Sequence, residues 1–312
     1  MTKHKRLLLI CGIIFTPFLS LIALILRAAA LFTEFDATSG YFQSKSPLHT
    51  AYLWVVAISI LLFFILAILC RKDFPAPSLR GSLSVLFSGA FFLVTMAVAA
   101  ISGFLSVPAA PAGLAKFFCM ISAIGALISL IYFGIFFRRD EAQGLRHALL
   151  GLAPAFFALF TAILLYFDRT AHMNEPPKLL HLSAFLLLAC FFIGEARALL
   201  GQPCKPLYYF TTATALLLCA TASVPNLLYN LLRGQVLVLT TVYDFVLLAG
   251  ALYLLARLLQ ILPYELPAVH QMVQHFLNTA AETADEETEE SESAEPLEAL
   301  PTEEEAPTQE NE

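Results

Sequence analysis

Charge is scarce in this chain and unevenly spread. Asp, Glu, Lys and Arg together make up 13% of the 312 residues, about half the share usual in soluble domains. No Lys or Arg follows Pro263, although 15 Asp and Glu do. No two cysteines stand at C-x-x-C spacing. That excludes the common dithiol and zinc frameworks, and Cys11, Cys70, Cys119, Cys190, Cys204 and Cys219 read as small hydrophobes, most of them within apolar runs. Catalytic signatures are missing as well. There is no H-E-x-x-H, no phosphate loop and no pair of aspartates at diphosphate-binding spacing. Leu86 stands where a G-x-S-G motif ending in Ser88-Gly89 needs glycine. An enzyme is therefore not expected, nor a cofactor, nor a metal site. No internal repeat relates the first half to the second, which weighs against an inverted-repeat transporter.

What the chain has is apolar length. Hydrophobic residues make up 59% and the mean hydropathy is +0.76. A spanning helix needs about 20 mainly apolar residues. Eight segments qualify, over approximately 7–30, 51–70, 82–104, 116–137, 147–167, 179–200, 206–227 and 236–262. The expected fold is an all-α, polytopic integral membrane bundle of eight transmembrane helices across residues 1–262. The N-terminal run continues to about Leu26, too long for the core of a signal peptide, and reads as a retained first helix. The weakest boundary is "PNLLYNLLRGQ", between the seventh and eighth segments.

The two ends of the chain differ in charge. Residues 1–262 carry 9 acids and all 18 bases, while the remainder carries only acids. Lys and Arg collect in cytoplasmic loops. With the N-terminus inside, 12 basic residues fall on the cytoplasmic side and 6 on the other. Eight spans then put both termini in the cytoplasm, and a bacterial cytoplasmic membrane is the expected location. Residues 263–279 place Val269, Met272, Val273, Phe276 and Leu277 on one helical face, the pattern of a short amphipathic juxtamembrane helix. Residues 280–312 are acidic without an aromatic residue and read as a disordered acidic tail. Such a tail repels nucleic acid. A basic protein partner suits it, as do the basic loops of its own membrane domain.

Ionisable groups within spans are the candidate functional residues. They are Arg27, Glu195, Asp244 and Arg257. His181, near the outer end of the sixth span, is expected to reach the interface. Asp244 lies eight residues into the eighth span, roughly 12 Å deep at 1.5 Å per residue, and Arg27 ends the first span on the same side. Helical side chains lean toward their own N-terminus, so these two lean toward each other and a structural ion pair is expected if their helices touch. A ligand- or proton-linked carboxylate and a water-exposed vestibule residue are the alternatives. Thr240 shares a face with Asp244 at i, i+4, and Tyr243 flanks it. In the seventh span Thr214, Thr221 and Pro225 form a stripe that leads to Asn226. Glu195 and Arg257 form a second possible pair near the inner boundary, unless Arg257 snorkels to the interface. The outer loop of residues 33–50 carries Glu34 and Asp36, with a turn at Gly40, Tyr41 and Phe42, and is placed to cap a pocket.

Two functional classes fit. The preferred one is a transport or small-ligand-binding membrane protein with a polar site near Asp244 in the outer half. The other is a non-catalytic membrane component that acts through protein partners, its intramembrane charges purely structural.

Overall fold

In a computed structural model of the protein, the described residues are 3–71, 83–105, 112–136, 145–168, 172, 174–234 and 241–260. Thr240, the juxtamembrane segment 263–279 and the tail 280–312 lie outside them. The described chain forms helices α1 (Lys3–Thr33), α2 (Pro47–Leu69), α3 (Leu83–Leu105), α4 (Ala112–Phe136), α5 (Leu145–Gly151), α6 (Ala153–Phe167), α7 (Pro176–Leu199), α8 (Lys205–Arg233) and α9 (Thr241–Leu259). A two-stranded hairpin, β1 (Phe35–Asp36) and β2 (Tyr41–Phe42), joins α1 to α2. Eight segments are long and apolar enough to cross a membrane, with α5 and α6 together making one of them. The fold is a polytopic membrane bundle.

Proline punctuates the helices in two ways. At the first or second position of α2, α6, α7 and α8 it occupies a site whose N–H has no helical partner anyway. Pro154 also explains why the fifth span is two helices: its missing N–H and its ring interrupt the ladder after Gly151, and Leu152 carries the break. Pro225 behaves differently, because α8 runs straight through it and ends at Gly234, whose left-handed φ of 65° supplies the cap. The seventh span thus extends past the expected end at residue 227. "PNLLYNLLR" belongs to the helix, with Asn226 buried and Asn230 half-buried on one face near its C-terminal end. Neighbouring helices hold that stretch in place, and α8 packs on α1, α2, α7 and α9.

α8 is therefore the centre of the bundle. α3 covers the far side of α9, and α4 and α6 continue the layer from α3 around to α7. Small residues set the closest approach. At Gly125 a methyl group would stand 3.0 Å from the backbone nitrogen of Phe157, so α4 and α6 touch nearly backbone to backbone. Ser122 and Thr161 hydrogen-bond across that contact at 3.1 Å. Most buried Ser and Thr hydroxyls on α8 bond their own helix instead: Thr211, Thr212, Thr221 and Ser223 each donate to a carbonyl three or four residues back.

Candidate functional site

Two networks of buried charged side chains lie at opposite ends of the bundle, and Lys178, also buried, donates to the carbonyl of Asp168 at 2.6 Å beside the start of α7. The first lies beneath the hairpin, where the C-terminal turns of α1 and α8 meet the N-terminal turns of α2, α7 and α9. Arg27 (1% exposed), His181, Asn226 and Asp244 (each 0% exposed) are all within it. His181, expected at the interface, is instead wholly enclosed. Its position one turn into α7 points it at α9, and there it finds a partner for each ring nitrogen.

That pairing has a definite proton count. His181 Nδ1 lies 2.8 Å from the carbonyl oxygen of Pro177. A carbonyl can only accept, so Nδ1 carries a hydrogen. His181 Nε2 lies 2.7 Å from Asp244 Oδ1. A neutral imidazole protonated at Nδ1 and an ionised carboxylate would meet there as two acceptors. The contact therefore holds a proton, on Nε2 or on Oδ1, and in either form the pair is neutral as a whole. Asn230 Nδ2 donates to the other oxygen, Oδ2, at 3.3 Å.

Arg27 is not in ion-pair contact with Asp244. Its Nη2 donates to Asn226 Oδ1 at 3.5 Å, a long bond to a neutral acceptor. Its Cζ stands 5.6 Å from the centre of the Tyr52 ring, within cation–π range. Its Nε is buried without a hydrogen-bond partner. Because a guanidinium only donates, the oxygen of the Asn226 amide must face Arg27. The amide nitrogen of Asn226 is left on the Asp244 side, close to the carboxylate but without a completed hydrogen bond. The order is thus Arg27, Asn226, Asp244, His181, with Asn226 as the link between the cation and the proton-sharing pair.

Tyr243 turns the other way. Its ring meets Phe185 edge-on at 6.2 Å, and its hydroxyl approaches Gly103 of α3, where an added methyl would come within 3.3 Å. It does not join the cluster.

The hairpin closes this end of the bundle. Both oxygens of Glu34 accept first-turn amides of α2, from Leu48 at 3.1 Å and His49 at 3.0 Å. Those N–H groups have no helical partner, and a carboxylate there also suits the helix dipole. Phe42 stacks on the His49 ring at 3.8 Å, and Phe35 meets Phe42 edge-on and Tyr229 of α8 at a right angle. Asp36 organises the turn by accepting from the Thr38 amide and hydroxyl. These bonds, that to the Thr38 hydroxyl first, hold its carboxyl below the ordinary range.

A cavity of about 450 Å³ adjoins Arg27. Arg27, His49 and Tyr52 line its polar end. Leu53, Val56 and Ile60 of α2 and Leu179, Leu180 and Ser183 of α7 form its sides.

The second cluster joins α7 to α9 at the other end. Arg257 Nη2 is in ion-pair contact with Glu195 Oε1. Tyr253 donates to Glu195 at 3.1 and 3.2 Å and accepts from Arg257 Nε at 3.1 Å. Arg257 Nη1 reaches Gln260 Oε1 at 3.0 Å. Phe92, Phe133, Phe191 and Phe192 surround the Tyr253 ring. Arg257 is 2% exposed and so does not snorkel. Its guanidinium is shared among Glu195, Tyr253 and Gln260.

Among the described residues no group of three or more His, Cys, Asp or Glu could hold a metal ion. The sequence pattern pointed to Arg27 and Asp244 but not to His181, Asn230 or Tyr253 as partners. One signal was present for two of these: Asn226 and Asn230 are four apart, and so are Tyr253 and Arg257, each pair on one helical face.

Eight apolar segments long enough to cross a membrane define the class, a polytopic membrane protein. Compared with known proteins, the chain matches no family model, no curated protein and no solved structure.

Proposed function

We propose that the protein binds a small ligand within its membrane domain, as a transport or ligand-binding protein. The chain of Arg27, Asn226, Asp244 and His181 is its recognition element. The observation that carries this reading is a buried arginine, without a carboxylate partner among the described residues, at the polar end of a cavity of about 450 Å³. Small-molecule sites typically occupy about 300–1,000 Å³, with a few convergent polar groups in an apolar wall. A buried cation is costly unless paired. Arg27 has a neutral amide, an aromatic face and a cavity. Behind it stands a carboxylate and an imidazole that share a proton, so the charge of the site can respond to what occupies it. No catalytic step is assigned.

The Glu195–Arg257 cluster supports a structural role, since its two charges meet each other and Tyr253 and Gln260 add hydrogen bonds to them. The hairpin end is assigned to the outer face on the distribution of Lys and Arg, with both termini in the cytoplasm of a bacterial cell. The acidic tail is assigned to a basic protein partner or to the basic cytoplasmic loops.

A ligand-stability screen on the purified protein tests the reading. At least one small molecule should raise the melting temperature of the native protein and not that of Asp244→Asn. A broad screen in which every stabilising compound acts equally on both proteins would leave the charges structural and favour action through protein partners.

A further inference from the structure

We infer that the cavity beside Arg27 takes the oxyanion head, carboxylate or phosphate, of an amphiphile dissolved in the membrane, with its apolar chain lying between α2 and α7. This inference rests on the ligand-binding reading and specifies the ligand class.

Charge comes first. Among the described residues no carboxylate is in ion-pair contact with Arg27. Asp244 is matched to His181 at 2.7 Å, and that pair is neutral in either protonation form. The two oxygens of Glu34 are engaged by the amides of Leu48 and His49. A guanidinium is always charged in a protein. Glu34 keeps its charge but has both oxygens committed to those amides, so Arg27 has no carboxylate partner among the described residues, and an anionic head in the cavity is the group that would pair with it. Arg27 Nε is a buried donor with no acceptor, and the same side chain lines the cavity. His49, whose Nδ1 is also without a partner, lines the cavity next to it.

Shape comes second. Polar groups gather at one end of the cavity and apolar ones along its length. Leu53, Val56 and Ile60 are a stripe at helical spacing on α2, and Leu179, Leu180 and Ser183 are the facing stripe on α7. From Tyr52 to Ile60 the wall is roughly 12 Å long at 1.5 Å per residue, the length of several methylenes. Arg27 and Tyr52 at the back are buried, while Leu53 and Leu179 are 52% and 46% exposed on the flank of the bundle. In a membrane that flank faces lipid, so the mouth opens sideways into the bilayer. A water-soluble anion would leave the apolar stripe unused, and a neutral lipid would leave Arg27 uncompensated. An anionic amphiphile satisfies both.

The test titrates the purified full chain, in a neutral detergent, with oleate and with oleoyl lysophosphatidate while following thermal unfolding. Methyl oleate supplies the chain without the charge, and acetate and inorganic phosphate supply the charge without the chain. The expected result is saturable stabilisation by at least one of the two charged amphiphiles and by none of the three controls. Arg27→Gln should weaken half-saturation about tenfold or more, the scale of one charge-assisted hydrogen bond. Ser183→Trp, at the exposed rim, should block binding while leaving the unliganded melt unchanged. Equal stabilisation by methyl oleate, acetate or phosphate overturns the inference, and so does unaltered half-saturation in the variants. If Arg27→Gln does not fold, Ser183→Trp decides alone. Should the amphiphiles have no effect while a water-soluble compound stabilises in an Asp244-dependent way, this inference fails and the broader reading stands. If nothing stabilises through Asp244 or Arg27, both fail.

Discussion

His181 and Asp244, 63 residues apart in the chain, meet at 2.7 Å across α7 and α9, and the carbonyl of Pro177 fixes which imidazole nitrogen points at the carboxylate. Two helices are thus joined by one buried hydrogen bond, with its proton on Nε2 or on Oδ1. In a low-dielectric interior such a bond is strong while complete and costly when half removed.

Replacing both partners should therefore cost less than the two single replacements added together. For His181→Leu and Asp244→Leu the expected coupling is about 1–3 kcal/mol, the range for contacting residues in one network. Arg27→Met combined with Asp244→Leu should show a smaller coupling, because Asn226 separates them. Unfolding in detergent, followed for both cycles, measures the difference. A coupling between Arg27 and Asp244 as large as that between His181 and Asp244 would mean that the arginine and aspartate pair directly.

At the other end, Glu195→Gln leaves Arg257 buried against a neutral amide. Breaking one side of a buried pair typically costs about 3–5 kcal/mol. Tyr253→Phe removes the hydroxyl that bridges the two and should cost about 1–3 kcal/mol. Combining Glu195→Leu with Arg257→Met should recover most of the loss, since no stranded charge remains. Thermal unfolding of the four variants distinguishes this from a pair that contributes nothing. No loss of ligand response is expected in any of them that folds.

The hairpin offers a sharper backbone test. Gly40 has φ of 77°, and a methyl there would run into the side chain of Glu175. Glu175 can swing aside, so the steric part is small. The left-handed backbone remains, at about 1–2 kcal/mol for a residue with Cβ. Gly40→Ala should lower stability by about that amount, and Gly40→Asn by less.

Asp36 sits in the same turn with a depressed pKa. A carboxyl depressed by folding stabilises the turn above its ordinary titration range, and the contribution is lost as pH falls through its lower folded value. Thr38→Val removes the leading hydrogen bond, so the Asp36 titration should move up, toward that of a free carboxyl. NMR titration of the side chain reads the shift directly, and an unmoved titration would assign the depression elsewhere.

Topology is open to reporter fusions. Fusions after Gly40 and Pro177 should read as external, and fusions after Arg80, Arg139, Gln202 and the C-terminus as cytoplasmic. A C-terminal fusion that reads as external would be incompatible with eight crossings.

The amino-acid sequence by itself determined the class and the span count. Runs of about 20 apolar residues have one stable solution in lipid, a helix with its backbone bonds satisfied internally, and that solution requires no knowledge of neighbours. It also marked Arg27, Glu195, Asp244 and Arg257, because a charge in such a run is conspicuous. Which charge meets which was decided by the tertiary structure. Side-chain lean predicted that Arg27 and Asp244 approach, but lean along the helix axis says nothing about rotation around it. Rotation is set by packing, and packing placed α8 between α1 and α9, so Asn226 came to lie between the two charges. The same packing turned His181 inward from the α7 surface and Tyr243 away toward α3. It continued α8 through Pro225, where local rules favour an end, because neighbours on several sides hold the helix that a lone proline would break.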